Sequence, residues 1–267
     1  MIKIEHDVLL KNYCTFKIGG PADSFVTVDT QDELGEAMQM PRAMMLGNGS
    51  NVLFSDSGYR GTIVKLGEGF SYMRIEDDFI VAGGGALLVG VSKFAAENGL
   101  SGLEFACGIP GSVGGALLMN AGAYGHSVSE LLEDSEGFGY RKSPYMTNGT
   151  IATEARFRMI KDDKDAILAR MKEYTGMRTS KQPLAYPSAG SFFKRPEGYF
   201  AGKLIEDSGL KGYSEGGAQV SELHAGFVIN RGNASCRDVI DLMHHVQKTV
   251  FDKFGVMLEP EVRIIEE

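Results

Sequence analysis

The chain has 267 residues, of which 43% are hydrophobic and 23% charged, and its formal net charge is −8. The length suggests one or two domains with a proper core. The acidic balance, with no Lys/Arg-rich block, argues against duplex nucleic acid or an anionic membrane surface as the main partner. Cys14, Cys107 and Cys236 are odd in number and far apart, so no disulfide framework follows and a reducing cytoplasm is the expected setting. The opening Met1–Asp7 lacks the basic-then-apolar pattern of a signal peptide, and no apolar run approaches the ~20 residues of a membrane span. Glycine is the outlier: 35 residues, roughly twice the average share of about 7%. The glycines are clustered, which points to tight backbone near a ligand.

In chain order, 25–28 reads as a short strand. Thr30 and Glu33 then predict a capping box ahead of a helical stripe at Leu34, Ala37 and Met38. Strands are expected over 43–46, 52–54 and 62–66, giving a small α/β unit. A strand at 79–82 runs into Gly83-Gly84-Gly85, and Leu87, Leu88, Val91, Phe94 and Ala95 predict a helix ended near Gly99. After the glycine-dense stretch 102–125, a strand over 151–159 and a helix over 163–174 follow. The character changes near residue 180, with Pro183 and Pro187 in a loop or linker. Ala201, Leu204 and Ile205 predict a helix, 227–229 a strand, and Ser235 with Asp238 a second capping box. The helix behind it carries Val239, Met243, Val246, Val250 and Phe254 on one face, closes at Gly255, and precedes a terminal strand over 262–265. The layout predicts an α+β protein.

Two segments invite a ligand. Gly47-Asn48-Gly49-Ser50-Asn51-Val52 lies between strands, and its glycines would let backbone amides turn towards an anion, with Ser50 and Asn51 adding side-chain donors. A tight turn between strands is the plainer reading. In Gly102–Gly125, apolar residues interleave with seven glycines, so it is no flexible linker; Pro110 could open a short helix whose amides face an anion, and close packing of backbone is the alternative. Neither segment is a dinucleotide-binding fingerprint or a P-loop.

Three further stretches offer side chains. Gly139-Tyr140-Arg141-Lys142-Ser143 is either a solvated loop or the source of an arginine for a carboxylate. Gly190-Ser191-Phe192-Phe193-Lys194-Arg195 presents a serine that could serve as nucleophile or proton donor, although no G-x-S-x-G occurs. Glu259-Pro260-Glu261 at the entrance to the last strand is a solvated strand end or a carboxylate source. The five histidines show no metal spacing, and no metal is expected.

Taken in order, these motifs and Asn12-Tyr-Cys-Thr-Phe-Lys-Ile-Gly-Gly-Pro-Ala22 resemble the UDP-N-acetylenolpyruvoylglucosamine reductase (MurB) family over nearly the whole chain. The direct join of Tyr186-Pro-Ser to Gly190-Ser191 looks like the shorter, type II branch. The resemblance implies a two-part FAD-binding domain of the vanillyl-alcohol-oxidase/MurB type, residues 1–68 and 69–180, plus a C-terminal α+β substrate-binding domain, residues 181–267. It implies reduction of a UDP-linked enolpyruvyl amino sugar by NADPH through FAD, hydride passing from flavin N5 to C3 and a proton to C2. Matched residues would act as follows: Ser191 as proton donor, Arg141 at the substrate carboxylate, and Glu261 as stabiliser of the intermediate. Gly47, Asn48, Gly49, Ser50, Asn51, Val52, Gly111, Ser112, Gly114, Gly115, Asn120, Ala121 and Gly122 would hold FAD. Tyr124, Arg178, Lys194, Arg195 and His224 would hold substrate, the cationic ones at its diphosphate.

The resemblance further implies a cytoplasmic small-molecule enzyme, with no nucleic-acid or membrane partner and a monomer expected. In one departure, the strand pair usual in the family between Glu130 and Tyr140 is reduced here to a stretch that barely makes a turn. The rival readings are another FAD-dependent oxidoreductase of the same fold acting on an alcohol, and a non-catalytic nucleotide-binding protein.

Overall fold

The computed structural model describes residues 2–266. In chain order the strands and α-helices are β1 (Ile4–Leu9), β2 (Pro21–Val28), α1 (Gln31–Ala37), β3 (Met44–Met45), β4 (Val52–Phe54), β5 (Tyr59–Leu66), β6 (Met73–Glu76), β7 (Phe79–Gly83), α2 (Leu88–Glu97), β8 (Leu100–Ser101), α3 (Val113–Leu118), β9 (Gly122–Ala123) and β10 (His126–Ser127). There follow β11 (Glu154–Arg158), β12 (Ile160–Lys161), α4 (Lys164–Lys181), β13 (Ser188–Ser191), α5 (Ala201–Asp207), β14 (Ser214–Glu215), β15 (Ala218–Val220), β16 (Phe227–Asn230), α6 (Cys236–Phe254) and β17 (Arg263–Ile265). The largest sheets run β1-β2-β5-β3, β11-β7-β6 and β13-β16-β15-β14. The mixture of short sheets and helices is the α+β class read from the sequence.

The chain divides into two compact units, one of Met1–Glu5, Phe25–Asn48 and Thr62–Arg178, the other of His6–Ser24, Gly49–Gly61 and Thr179–Glu267. The first holds two apolar clusters. Val26, Val28, Leu34, Val64 and Phe70 form one; Ile80, Leu88, Val91, Phe105, Leu117 and Phe157 belong to the larger. Helix α3 lies against β7 and β11, which fixes the glycine-dense segment on a rigid sheet.

In the second unit α6 is the longest element. Its buried face is Val239, Leu242, Met243, Val246 and Val250, set against β14, β15 and α5. Each such side chain contributes about 1.5–3 kcal/mol on burial. The N-terminus is closed three ways. Ser235 Oγ accepts from Asp238 N (3.0 Å), and the Asp238 carboxylate accepts in return from Ser235 N (3.0 Å), the predicted capping box. Asp56, distant in sequence, takes Cys236 N (2.8 Å) and Arg237 N (3.2 Å). Gly255 ends the helix in the left-handed region, φ 68°.

Some sequence expectations shift. At α1, Thr30 Oγ1 accepts from Glu33 N as predicted, but the Glu33 carboxylate accepts from Asp29 N (2.9 Å) instead of the cap's own amide, so the box is displaced by one residue. Helix α4 runs to Lys181, well past Tyr174, and crosses the composition change near 180. The supposed loop after Pro187 contains β13, paired with β16 through a register shift between Ser188 and Ser191. The 133–139 stretch ends in a tight turn: Gly139 and Lys142 exchange both backbone hydrogen bonds (3.0 and 3.1 Å), leaving Tyr140 and Arg141 at its tip.

The Asp238 carboxyl is held below its ordinary range by amide donors, first Ser235 N and then Gly217 N. A depressed folded pKa gives stability above the unfolded value of about 3.9 and loses it as pH falls through the folded one. Asp238→Asn should therefore destabilise the protein by about 1 kcal/mol at neutral pH. In urea denaturation followed from pH 7 to pH 3, the gap from the parent should close on the acid side; a gap independent of pH would count against the carboxylate.

Candidate active site

The loop after β3 is organised by its carbonyls. Lys65 Nζ donates to Gly47 O (3.0 Å), Thr15 N to Gly49 O (3.0 Å) and Arg263 N to Asn51 O (3.1 Å). With alternate carbonyls tied down, the amides of residues 47–51 find no acceptor among the described residues. Gly49 adopts φ +63°, and a Cβ there would lie 2.1 Å from Tyr13 O, so only glycine fits. Five successive donors without protein partners suit a pyrophosphate. Of the two side-chain donors expected here, Ser50 and Asn51, the second is spoken for: Asn51 Nδ2 donates to Glu261 O (3.1 Å), and Asn48 Nδ2 likewise donates to Pro110 O (2.5 Å). Both asparagines shape the loop.

The second glycine segment differs from its sequence reading. The helix begins at Val113 behind an Ser112 cap, three residues after Pro110. Its first amides are consumed: Val113 N donates to Ala86 O (2.8 Å), Gly114 N to Gly84 O (2.8 Å) and Gly115 N to Ser112 Oγ (3.2 Å). They are not an anion site. The glycines serve close packing, since a Cβ on Gly114 would sit 2.8 Å from Ala152 O and one on Gly47 2.6 Å from Ser112 Oγ. Gly47 thus lies against α3, and Gly111 O accepts from Leu88 N (2.9 Å). Ala121 and Gly122 follow, Gly122 pairing with Ser127 in the β9–β10 hairpin.

Asn120 organises the far end of α3. Buried and at φ +43°, it donates from Nδ2 to Gly139 O (2.8 Å) and accepts at Oδ1 from Ser129 N (3.2 Å). Arg141 donates from a terminal guanidinium nitrogen to Asn120 O (3.3 Å), and its guanidinium stands over the Tyr140 ring, with Cζ 5.3 Å from the centroid. Ser143, fully buried, donates to Leu118 O (2.7 Å). The tight 139–142 turn therefore holds Arg141 at the C-terminal end of α3.

Tyr124 and Arg178 meet on another face of this unit. Tyr124 stacks on Tyr174 (centroids 4.6 Å apart) and donates from its hydroxyl to Tyr174 O (3.1 Å). Arg178 covers Gly108, where a Cβ would lie 2.6 Å from its Cδ. Burial lowers the Arg178 guanidinium's pKa, and no carboxylate pairs with it among the described residues. Both residues depend on α4, whose only buried side chain is Ile167. That helix is held by a polar latch that the sequence reading missed: buried Glu104 accepts from Arg170 Nε (3.0 Å) and a terminal nitrogen (2.8 Å), from Gly102 N (2.7 Å) and from Ser101 Oγ (2.8 Å). Nothing in the sequence distinguishes this glutamate from exposed ones such as Glu97.

In the second unit, Ser191 closes β13 opposite Phe227 and is exposed. The segment leading to β17 pairs with the residues after it: Lys194 N donates to Glu259 O (2.8 Å) and Glu261 N to Phe192 O (2.8 Å). This sets Glu261 beside the residue that follows Ser191. Val52 begins β4, which pairs in parallel with β17. Lys194 forms an ion pair with Glu259. Arg195 lies over the Phe200 ring (4.5 Å). His224 accepts at Nδ1 from Gly226 N (3.1 Å), and burial pushes its pKa down.

Residues 22–135 match the FAD binding domain, and residues 182–265 match the C-terminal domain of UDP-N-acetylenolpyruvoylglucosamine reductase. The glycine-bounded amide row is in the first match, and Ser191 and Glu261 are in the second. Together they define a flavin-dependent oxidoreductase with a dedicated C-terminal domain. The UDP-N-acetylenolpyruvoylglucosamine reductase of Agathobacter rectalis is 47% identical over 98% of this chain and 93% of its own length. Reductase 2 of Bacillus cereus is 48% identical over 99% and 93%. The crystal structure of the Thermus caldophilus enzyme (MurB) superposes with a TM-score of 0.88 at 37% identity, covering 99% of both chains. The chain belongs to the UDP-N-acetylenolpyruvoylglucosamine reductase family.

The loop geometry predicts that Gly49→Ala loses flavin. A clash with backbone at a positive φ costs at least about 1–3 kcal/mol. After reconstitution with FAD and gel filtration, the variant should carry far less visible flavin absorption than the parent treated alike; equal retention of flavin would contradict the role given to this loop.

Proposed function

We propose that the chain reduces UDP-N-acetylglucosamine enolpyruvate to UDP-N-acetylmuramate at the expense of NADPH, with FAD as the intermediate carrier. The observation that supports this reading is the backbone pairing of Phe192 with Glu261, which joins the segments that carry Ser191 and Glu261 although they lie far apart in the chain. FAD, when bound, supplies the hydride that is added at C3 of the enolpyruvyl group. The residues that would hold it are Gly47, Asn48, Gly49, Ser50, Asn51 and Val52 at the pyrophosphate. Gly111, Ser112, Gly114, Gly115, Asn120, Ala121 and Gly122 would shape the remaining surface. The row of five amides without protein acceptors fits such a group.

Hydride addition at C3 leaves negative charge spread from C2 into the carboxylate. Arg141 would stabilise that charge, and the turn that fixes its backbone makes it a preorganised cation. Ser191 would hold the proton that goes to C2. A hydroxyl is a weak acid, so it suits only a strongly basic, carbanion-like partner. Glu261, anchored through its own amide and through Asn51 on its carbonyl, would stabilise the same intermediate. Tyr124, Arg178, Lys194, Arg195 and His224 would bind the sugar nucleotide, with the cationic members at its diphosphate. The division into 1–68, 69–180 and 181–267 assigns FAD to the first two parts and substrate to the third.

Free thiols at Cys14, Cys107 and Cys236 fit a reducing compartment, and we place the enzyme in the cytoplasm as a monomer acting on small molecules. No helix among the described residues is long and apolar enough to cross a membrane.

The test separates the two half-reactions. Ser191→Ala should keep flavin bleaching by NADPH and slow flavin reoxidation by substrate by roughly 100- to 10,000-fold, the usual worth of a positioned proton donor. Stopped-flow absorbance of each half-reaction reads this directly. Equal loss in both would overturn the proton-donor role, and flavin that substrate never reoxidises in the parent enzyme would overturn the substrate.

A further inference from the structure

Among the described residues, Lys65 is the one whose charged group bonds the 47–51 loop. It follows Ile63 and Val64, both fully buried, on β5, and the β3–β5 register brings it level with the exit of β3 into that loop. Its stem is half-buried and its ammonium donates to Gly47 O (3.0 Å). No carboxylate pairs with it among the described residues, whereas the more open Arg170 and Lys194 each have one. Burial lowers the Lys65 ammonium's pKa, the mark of a charge without a counter-ion. A carbonyl alone does not offset the cost of burying an ammonium. An anion does, and the adjacent loop offers its row of amides to one.

We propose that Lys65 is the counter-charge for the pyrophosphate of FAD, as well as the anchor that turns the Gly47 carbonyl inward. This deepens the cofactor assignment and rests on the reading that residues 47–51 hold the pyrophosphate. Lys65 lies outside the glycine motif, so the loop supplies neutral donors while a neighbouring strand supplies the charge. A charge-assisted contact of this kind is worth a factor of roughly 10 to 100 in affinity.

The experiment titrates FAD, and separately riboflavin, into the full-length chain stripped of flavin, at several salt concentrations, for the parent, Lys65→Met and Lys65→Arg. Lys65→Met should weaken FAD by about 10- to 100-fold and flatten its salt dependence. It should leave riboflavin, which carries no phosphate, unchanged. Lys65→Arg should bind FAD within a few-fold of the parent. The melting temperature of the flavin-free Lys65→Met protein should equal or exceed the parent's, because an uncompensated half-buried charge has been removed. FAD bound equally well by Lys65→Met, or FAD and riboflavin weakened together, would overturn the inference. So would a lower melting temperature in Lys65→Met with no rescue of FAD binding by arginine. If the parent itself binds riboflavin as tightly as FAD, without salt dependence, the loop does not hold the pyrophosphate, and that failure is visible before any variant is made.

Discussion

The backbone pairing of Phe192 and Lys194 with Glu261 and Glu259 is the constraint on which the catalytic reading depends. A serine and a carboxyl from distant parts of a chain have no local reason to meet. Here a short ladder joins their segments, and each side is braced. The Ser191 side is the edge strand of a four-stranded sheet, with Phe192 N bonded to Gly226 O (2.8 Å). The Glu261 side runs directly into β17, which pairs with β4 immediately after the cofactor loop. Asn51 closes the arrangement by donating to Glu261 O. The end of the 47–51 loop and the backbone of Glu261 therefore share one hydrogen-bonded assembly, and a shift in either is felt by the other.

The cofactor loop itself shows how backbone can be made into a ligand surface. The carbonyls of Gly47, Gly49 and Asn51 are held by the protein, while the amides of 47–51 have no acceptor among the described residues. This needs glycine where φ is positive and where a neighbouring chain lies too close for a Cβ. The glycines of α3 answer a different demand. They let a helix lie directly on the carbonyls of Gly84 and Ala152, and the helix gives up its free amides in doing so. Two glycine-rich stretches with similar composition thus perform different tasks, one presenting donors and one packing.

Much of this was legible in the sequence. Periodicity located α2, α5 and α6, and the Ser235–Asp238 box was visible because its parts lie three residues apart. The motif order carried the family, and with it the loop and the residues proposed for catalysis. What could not be read depends on contacts across the chain. Asp56 at the start of α6, Glu104 under α4 and Lys65 behind the loop are ordinary charged residues until folding brings their partners near. The start of α3 was misplaced because Pro110 is an acceptable helix opener, whereas the actual cap at Ser112 is set by its hydrogen bond to Gly115. The extent of α4 was missed because a helix with one buried residue has no apolar stripe to follow.

The ion pair between Lys194 and Glu259 has a consequence for selectivity. An anion that engages this lysine must first evict a carboxylate tethered to it through the backbone, since Lys194 N also holds Glu259 O. The tether keeps the displaced group close, at a high effective concentration, so a weakly charged visitor is outcompeted by the protein's own side chain. A group bearing more negative charge than a single carboxylate gains the advantage, which turns an apparently idle surface contact into a threshold that monocarboxylate bystanders fail to pass.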